Sequence, residues 1–225
     1  MRRPLLAAAA LAATAALVTG CGDGDGDDWS QSRPRPSAVG ELRPGFVDPS
    51  ASPAPEATVT PRPGSWSGVR PSEGYRVALL TAGDDRPTKA LVTAVRDWAE
   101  REDVDLRTET VTDAADMVPA VDRVIGMRPD LVVSAGDDLI DALATVTPNH
   151  LSQQFLVVGA ELAEPTHNVT SVDWSGASFR GEGLGMSSAY DPASFTAARC
   201  AAAIRAGAAA VLSGWTGIVV WVDDF

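Results

Sequence analysis

The sequence predicts an α/β domain built on a doubly wound parallel sheet over residues 75–225. Continuous apolar runs such as Val77–Leu80 are typical of strands buried on both faces. Helical spacing follows the first run, where Leu91, Val95 and Trp98 share one face. Short connections between such segments imply parallel strands with right-handed crossovers, and helices on both faces of the sheet.

The remaining elements continue this alternation along the chain. Alternating apolar residues at 104–108 predict the second strand, and the apolar face of 117–125 predicts the second helix, ended by Gly126. The later predicted elements are strands at 131–133, 155–158, 169–172 and 217–222, and helices at 139–143 and 192–212. We expect the final strand to return to the same sheet, so that the domain is essentially one lobe.

The segment before this domain has a different composition. Residues 21–74 contain an Asp/Gly run and nine prolines among small polar residues, with no sustained periodicity. Such a composition buries too little apolar area to offset the entropy of ordering the chain, and its prolines favour an extended conformation. We therefore predict a disordered tether over residues 21–74.

The first 20 residues have the features of an export signal. Arg2 and Arg3 precede an alanine-rich apolar run that ends in Val18-Thr19-Gly20-Cys21. This ending resembles the lipobox of bacterial lipoprotein precursors, which implies cleavage before Cys21 and acylation of its sulfur and amino group. The resemblance predicts a signal peptide over residues 1–20 and a lipid anchor at Cys21, holding the protein on the extracytoplasmic face of the cell membrane.

Charge and cysteine content exclude several function classes. The net charge is −12, so a phosphate backbone would repel the chain and nucleic acid is not an expected partner. Besides Cys21 there is one cysteine, Cys200, in an alanine-rich helical stretch, and we interpret it as a small buried residue. No motif for a resident metal or cofactor is present, and we predict none.

Polar turns follow two predicted strands that are neighbours in the commonest strand orders. Because ligands bind outside the carboxyl ends of strands in open α/β sheets, these turns form the candidate site. The candidate binding residues in the two turns are Asp84, Asp85, Arg86, Gly136, Asp137 and Asp138.

Two interpretations of these acidic turns are open. The carboxylates would converge to hold a divalent cation, or a polyhydroxylated ligand together with Arg86. Alternatively, Asp85 and Asp137 cap helices and the other carboxylates are solvated.

A glycine-rich stretch follows the fifth strand. It lies between Trp174 and Ala189 and contains Gly181, Gly183 and Gly185. One hypothesis is a binding loop that closes on the sheet edge, with Trp174 as a stacking platform and Arg180 contributing a contact. The alternative is a tightly turning loop without a ligand.

Two segments resemble the basic membrane protein (BMP) family of ABC-transporter substrate-binding proteins. Pro129–Gly136 is similar to the third strand and turn of the family's first lobe. Asn168–Trp174, followed by Phe179–Gly185, is similar to the segment where the chain leaves that lobe at the hinge. The resemblance covers residues 75–186 and implies a type I periplasmic-binding fold, a small solute such as a nucleoside or sugar, and an ABC importer as partner.

This chain departs from that family in two places. Only about 50 residues follow the hinge-like segment, which is too few for a complete second lobe. The turn after the first strand is Ala82–Pro87, where the family has an Asp-x-Ser-Phe-Asn type of ligand loop. We therefore keep three hypotheses: a non-enzymatic binder of a small solute, a degenerate lobe acting as an envelope interaction module, and a metal-assisted hydrolase that uses the carboxylates. The first is the function predicted; the oligomeric state is left open.

Overall fold

Seven parallel strands form the central sheet in the computed structural model, which describes residues 29, 33, 36–48, 50–177 and 188–225. The described residues contain nine strands in all, two of which lie outside this sheet. The strands are β1 (Ala38–Val39), β2 (Thr58–Val59), β3 (Arg70–Pro71), β4 (Arg76–Ala82), β5 (Asp105–Val111), β6 (Leu131–Ala135), β7 (Gln154–Val158), β8 (Val169–Asp173) and β9 (Val219–Trp221). The α-helices are α1 (Arg86–Arg101), α2 (Met117–Gly126), α3 (Ile140–Val146) and α4 (Ala197–Leu212).

The sheet has the order β2-β9-β8-β7-β6-β4-β5, with β1 and β3 paired separately as a short antiparallel ladder. Helices α1 and α4 cover one face of the sheet, and α2 and α3 cover the other. The order β5-β4-β6-β7-β8 is the flavodoxin-like order of doubly wound folds. The predicted fold class, an α/β doubly wound sheet of essentially one lobe, is confirmed, and β9 returns to the same sheet as expected.

The central strand β4 shows why this order is stable. All seven of its residues are buried, because β5 and β6 pair with it on either side and helices cover both faces. Helix α1 then begins after Asp85, with Pro87 in its first turn, and buries the predicted stripe of Leu91, Val95 and Trp98. The apolar run therefore accounts for strand β4, and the helical periodicity accounts for the helix α1 that follows it.

Helix α4 packs against the sheet through an inner face that is made mostly of small residues. A Cβ added at Gly207 would come within 2.5 Å of Val172 and 2.6 Å of Leu156. The helix starts later than the predicted residue 192. Asp191 caps a separate 3-10 turn at Pro192–Ser194, and Thr196 caps α4 by accepting from the backbone N–H of Arg199.

The tether predicted for residues 21–74 is wrong wherever the structure describes it. Strand β2 pairs with β9 and so completes the sheet, while Phe46 and Trp66 are buried in the core that also contains α1 and α4. The N–H of Glu56 donates to the carbonyl of Gly217 at 2.8 Å. A few large apolar side chains and backbone hydrogen bonds to the sheet offset the ordering cost that the proline-rich composition implied.

Residues 1–28, which contain the predicted signal peptide and the lipidation site at Cys21, lie outside the described residues. Among the helices that the structure does describe, none combines the length and the apolar character needed to cross a bilayer. Trp29, the first described residue, is buried to 1% exposure. Trp29 lies eight positions after Cys21 in the sequence.

Candidate functional site

The predicted acidic turns meet at one edge of the sheet, which we call the carboxyl edge. All seven strands are parallel, so the turns after β4, β6, β7 and β8 lie at this edge. Strands β4 and β6 are hydrogen-bonded neighbours, with Thr81 opposite Ala135 at the point where both strands end. The edge beside these two strands is the topological switch point, where ligands bind in doubly wound sheets.

Asp85 has a structural role at the start of α1. One of its carboxylate oxygens accepts from the backbone N–H of Thr88 at 3.0 Å, and the other accepts from the Thr88 hydroxyl at 2.8 Å. This is the helix cap that the second interpretation predicted. The same interpretation is wrong for Asp137: α3 begins after Leu139 with no side-chain cap, and the backbone carbonyl of Asp137 accepts from Ile140 instead.

Gly83 allows the carboxylates of the two turns to approach each other. A Cβ at this position would lie 2.4 Å from Oδ2 of Asp138 and 3.5 Å from Oδ2 of Asp85. Its φ of +76° is also in the left-handed region that favours glycine. Asp138 and Asp85, which are separated by 53 positions in sequence, thus converge over a residue without a side chain.

The convergence has an electrostatic effect. Burial raises the pKa of Asp138, and the neighbouring charges of Asp137 and Asp85 raise it further. The pKa of Tyr190 is raised by burial and then by Asp137, Asp85 and Asp138. The phenol of Tyr190 therefore lies within the field of the same three carboxylates, and we call these four residues the acidic site.

Tyr190 was missed in the sequence. Its ring is 44% exposed and packs edge-on against Phe195, with 6.1 Å between ring centroids. No local pattern marks it, because it comes from a segment about 50 residues beyond the acidic turns. Only the packing of the loop before α4 brings this ring to the switch point.

The other residues predicted in the two turns have different surroundings. The Asp84 side chain is 99% exposed and pairs with Lys89 at 3.7 Å, and Arg86 is exposed in the first turn of α1. Gly136 is buried with φ +91°, and its N–H donates to the carbonyl of Val158 at 3.0 Å. Gly136 thus joins β6 to β7, while Asp84 and Arg86 extend into solvent beside the acidic site.

Trp174 lies in the core. Its ring is fully buried, 5.0 Å from the ring of Phe195, and its indole N–H donates to the hydroxyl of Ser194 at 3.0 Å. A stacking platform needs an exposed ring face, which this conformation does not offer. Arg180, the other residue predicted in this loop, lies outside the described residues.

Two more carboxylates are buried at the carboxyl edge. Asp173, the last residue of β8, is fully buried and accepts from the backbone N–H of Trp174 at 2.9 Å. Glu161, three residues after β7, is 2% exposed. Within the described part of the chain, no group of three or more His, Cys, Asp or Glu residues has the geometry to hold a metal ion. Carboxylates are therefore abundant at this edge without forming a metal cage.

The opposite end of the sheet, which we call the amino edge, has a cavity of about 780 Å³. The basic and acidic side chains in its lining are Arg33, Arg76, Arg128, Asp130 and His150. Asp130 accepts from the Arg33 guanidinium and, at 2.8 Å, from the backbone N–H of Arg76. No sequence pattern indicates this cavity, because Arg33 belongs to the predicted tether.

No protein-family model matches the chain, and no curated protein matches it in sequence. Solved structures with a similar backbone include an ABC-transporter solute-binding protein from Aeropyrum pernix K1, with 22% identity over 45% of this chain and 29% of that one and a TM-score of 0.42. Another, from Conexibacter woesei DSM 14684, has 16% identity over 45% and 36% and a TM-score of 0.39.

A periplasmic ribose ABC transporter structure from Conexibacter woesei has 15% identity over 67% of this chain and 54% of that chain, with a TM-score of 0.34. The chain spans about a third of the length of the first two proteins. These identities and scores assign neither a family nor a function to the chain. Its α/β fold is established by its own strand order and helix placement.

Proposed function

We propose that this protein is an exported lipoprotein, anchored through Cys21, whose domain binds a small polyhydroxylated solute without catalysis. The observation that carries the proposal is the convergence of Asp85 and Asp138 over Gly83 at the switch point of the sheet, with the charges of these two residues and of Asp137 acting on Tyr190. Carboxylates accept hydrogen bonds from the hydroxyl groups of a sugar or ribose, and an exposed phenol supplies a ring face for packing. A nucleoside or sugar fits this chemistry.

The acidic site also suits a neutral ligand better than an anion. The charges of Asp137 and Asp85 add to the effect of burial in raising the pKa of Asp138, so a further negative charge would be repelled, while donor hydroxyls would relieve the crowding. Both carboxylate oxygens of Asp85 already accept hydrogen bonds from Thr88, so Asp137 and Asp138 are the principal acceptors for the hydroxyl groups of a ligand. We propose that an ABC importer takes up the solute, as the BMP-like segments suggest.

The test is calorimetric titration of the full chain, purified in detergent, with adenosine and with ribose as probes. Asp137→Asn with Asp138→Asn should weaken binding roughly tenfold or more, because hydrogen bonds to charged groups contribute about 1.5–3 kcal/mol each. Asp84→Asn is the matched control, because that carboxylate is exposed and lies beside the acidic site. Binding that survives the double substitution would overturn the site.

A second readout does not depend on the choice of probe. Native mass spectrometry of the full chain should show extra mass that leaves on denaturation, and the double variant should lack it. Acylation of Cys21 is read from the denatured mass and should disappear in Cys21→Ala.

A second candidate function is an envelope interaction module without a small ligand. It is favoured by the exposure of Asp84, Arg86 and Asp138, which presents the acidic turns on an open surface. Chemical cross-linking in intact cells, with Asp84→Lys as the disrupting variant, distinguishes it. A cross-linked partner that is lost in this variant, with no binding of either probe, would favour the module.

A further inference from the structure

The buried position of Trp29 fixes where the membrane anchor joins the domain. Its indole N–H donates to Asp105, the first residue of β5, and its carbonyl accepts from the Arg76 guanidinium at 3.1 Å. The Arg107 guanidinium lies over its ring, 4.4 Å from the centroid. Arg76 and Asp105 are the first residues of β4 and β5, so Trp29 is held at the amino edge of the sheet.

This attachment greatly shortens the link to the membrane. With residues 21–74 as a free tether, the domain would begin more than fifty residues after the lipid. With Trp29 buried, the packed domain contains a residue only eight positions after Cys21, and a chain of that length spans at most about 28 Å.

The surface beside Trp29 has a composition suited to a bilayer interface. Leu151 and Val39 are among the exposed large apolar residues, at 46% and 37% exposure, and residues next to both line the amino-edge cavity. That cavity also carries Arg33 and Arg128. Exposed apolar groups with arginine are the combination found where proteins contact the headgroup region.

Charge favours the same orientation. The acidic site lies at the carboxyl edge, about one strand length or roughly 20 Å from the amino edge, and an anionic membrane surface repels it. Four aspartates lie between Cys21 and Trp29, so the lipid rather than charge supplies the attachment. The short link and the acidic far edge therefore act together to turn the amino edge towards the membrane.

We propose that the amino edge is the membrane-facing surface of the anchored protein, and that the acidic site at the carboxyl edge faces away from the bilayer. The inference rests on the proposed lipid at Cys21. The amino edge is thus a second functional surface, separate from the acidic site, and its partner is the lipid bilayer. It also places the mouth of the acidic site where a solute or an importer can reach it.

The test uses the lipidated full chain in vesicles of phosphatidylglycerol and phosphatidylethanolamine that contain an acceptor dye on a lipid. A donor dye is placed on Ser152→Cys at the amino edge or on Asp84→Cys at the carboxyl edge, both exposed. Native Cys200 is buried, and burial raises its pKa to about 11, so it should not compete for the dye. We expect clearly greater energy transfer from the amino-edge dye; equal or reversed transfer would overturn the proposal.

A matched variant isolates the role of the short link. Insertion of about twenty Gly/Ser residues after Asp28 leaves every described residue intact and raises the maximum span of the link from about 28 Å to about 98 Å. Transfer from the amino-edge dye should fall and approach that of the carboxyl-edge dye. An insertion without effect would overturn the proposal even if the wild-type dyes differ.

Sedimentation with the vesicles separates this inference from the proposed anchor. Protein that sediments but shows equal transfer from both dyes overturns the orientation alone. Protein that fails to sediment overturns the lipid anchor, and the orientation with it.

Discussion

Aspartate side chains have opposite electrostatic environments at the two edges of the sheet. At the amino edge, Asp130 accepts from the Arg33 guanidinium and from the backbone N–H of Arg76. At the carboxyl edge, Asp138 has Asp137 and Asp85 as neighbours, and its pKa is raised by burial and by those two charges. The amino edge thus uses its charges to hold the chain together, while the carboxyl edge concentrates like charges.

This difference indicates which edge serves stability and which serves binding. Hydrogen bonds to a charged acceptor stabilise the amino edge, and a residue from far away in sequence completes it. Like charges at the carboxyl edge cost stability, and such strain is typical of sites that gain a partner on binding. Removal of a carboxylate charge should therefore lower stability at the amino edge and raise it at the carboxyl edge.

The largest expected effect is that of Trp29→Ala at the amino edge. The indole is 1% exposed and packs in the core with α2 and α3, so its removal should lower the free energy of unfolding by about 3–5 kcal/mol. Urea denaturation followed by circular dichroism measures the loss. Leu151→Ala, at a residue 46% exposed, is the control and should change stability by less than about 0.5 kcal/mol. Equal stability of the two variants would show that Trp29 is not part of the core.

Asp130→Ala should have the next largest effect. It leaves the Arg33 guanidinium and the backbone N–H of Arg76 without their acceptor, at a cost of about 1–3 kcal/mol. A fall of several degrees in Tm is expected from calorimetry. Asp84→Ala removes an exposed carboxylate and should leave Tm unchanged. If both variants melt like the wild type, the amino edge does not depend on its ionic contacts.

Gly83→Ala tests the crowding of the carboxyl edge. The added Cβ would lie 2.4 Å from Oδ2 of Asp138 at a φ of +76°, and we expect a loss of about 1–3 kcal/mol. The matched control is Gly126→Ala at the end of α2, where nothing lies within 4 Å and alanine is the better helix former. A guanidinium chloride titration should separate the two variants. Gly83→Ala without a loss would mean that Asp138 is free to move away.

Asp138→Asn should have the smallest effect and the opposite sign. The folded state raises the pKa of Asp138, so folding favours the protonated form and the ionised form costs stability once the pH exceeds that raised pKa. Asparagine should therefore stabilise the protein at pH 7, by about 0.5 kcal/mol or less because solvent screens this side chain. The gain should disappear as the pH falls through the pKa of Asp138. Urea denaturation at pH 7 and pH 3.5 measures it, and a loss of stability at pH 7 would contradict the like-charge interpretation.

Local sequence patterns are sufficient to predict the body of the fold and the position of the acidic turns. Continuous apolar runs predict β4, β6 and β7, because a strand buried on both faces needs no polar side, and helical spacing predicts α1 and α2 between them. Parallel strands then place Asp85, Asp137 and Asp138 at one edge without further information. These features depend on local pattern and on the handedness of crossovers.

The residues that complete the two edges depend on packing between distant parts of the chain and could not be predicted from local patterns. The composition of residues 21–74 predicts disorder, yet Trp29, Trp66 and β2 are packed, because the burial of a few large side chains depends on a complementary surface elsewhere in the chain. For the same reason Tyr190 joins the acidic site and Trp174 enters the core. Composition indicates only the average tendency of a segment to be ordered or disordered. The burial of a particular side chain depends on its contacts with residues distant in sequence.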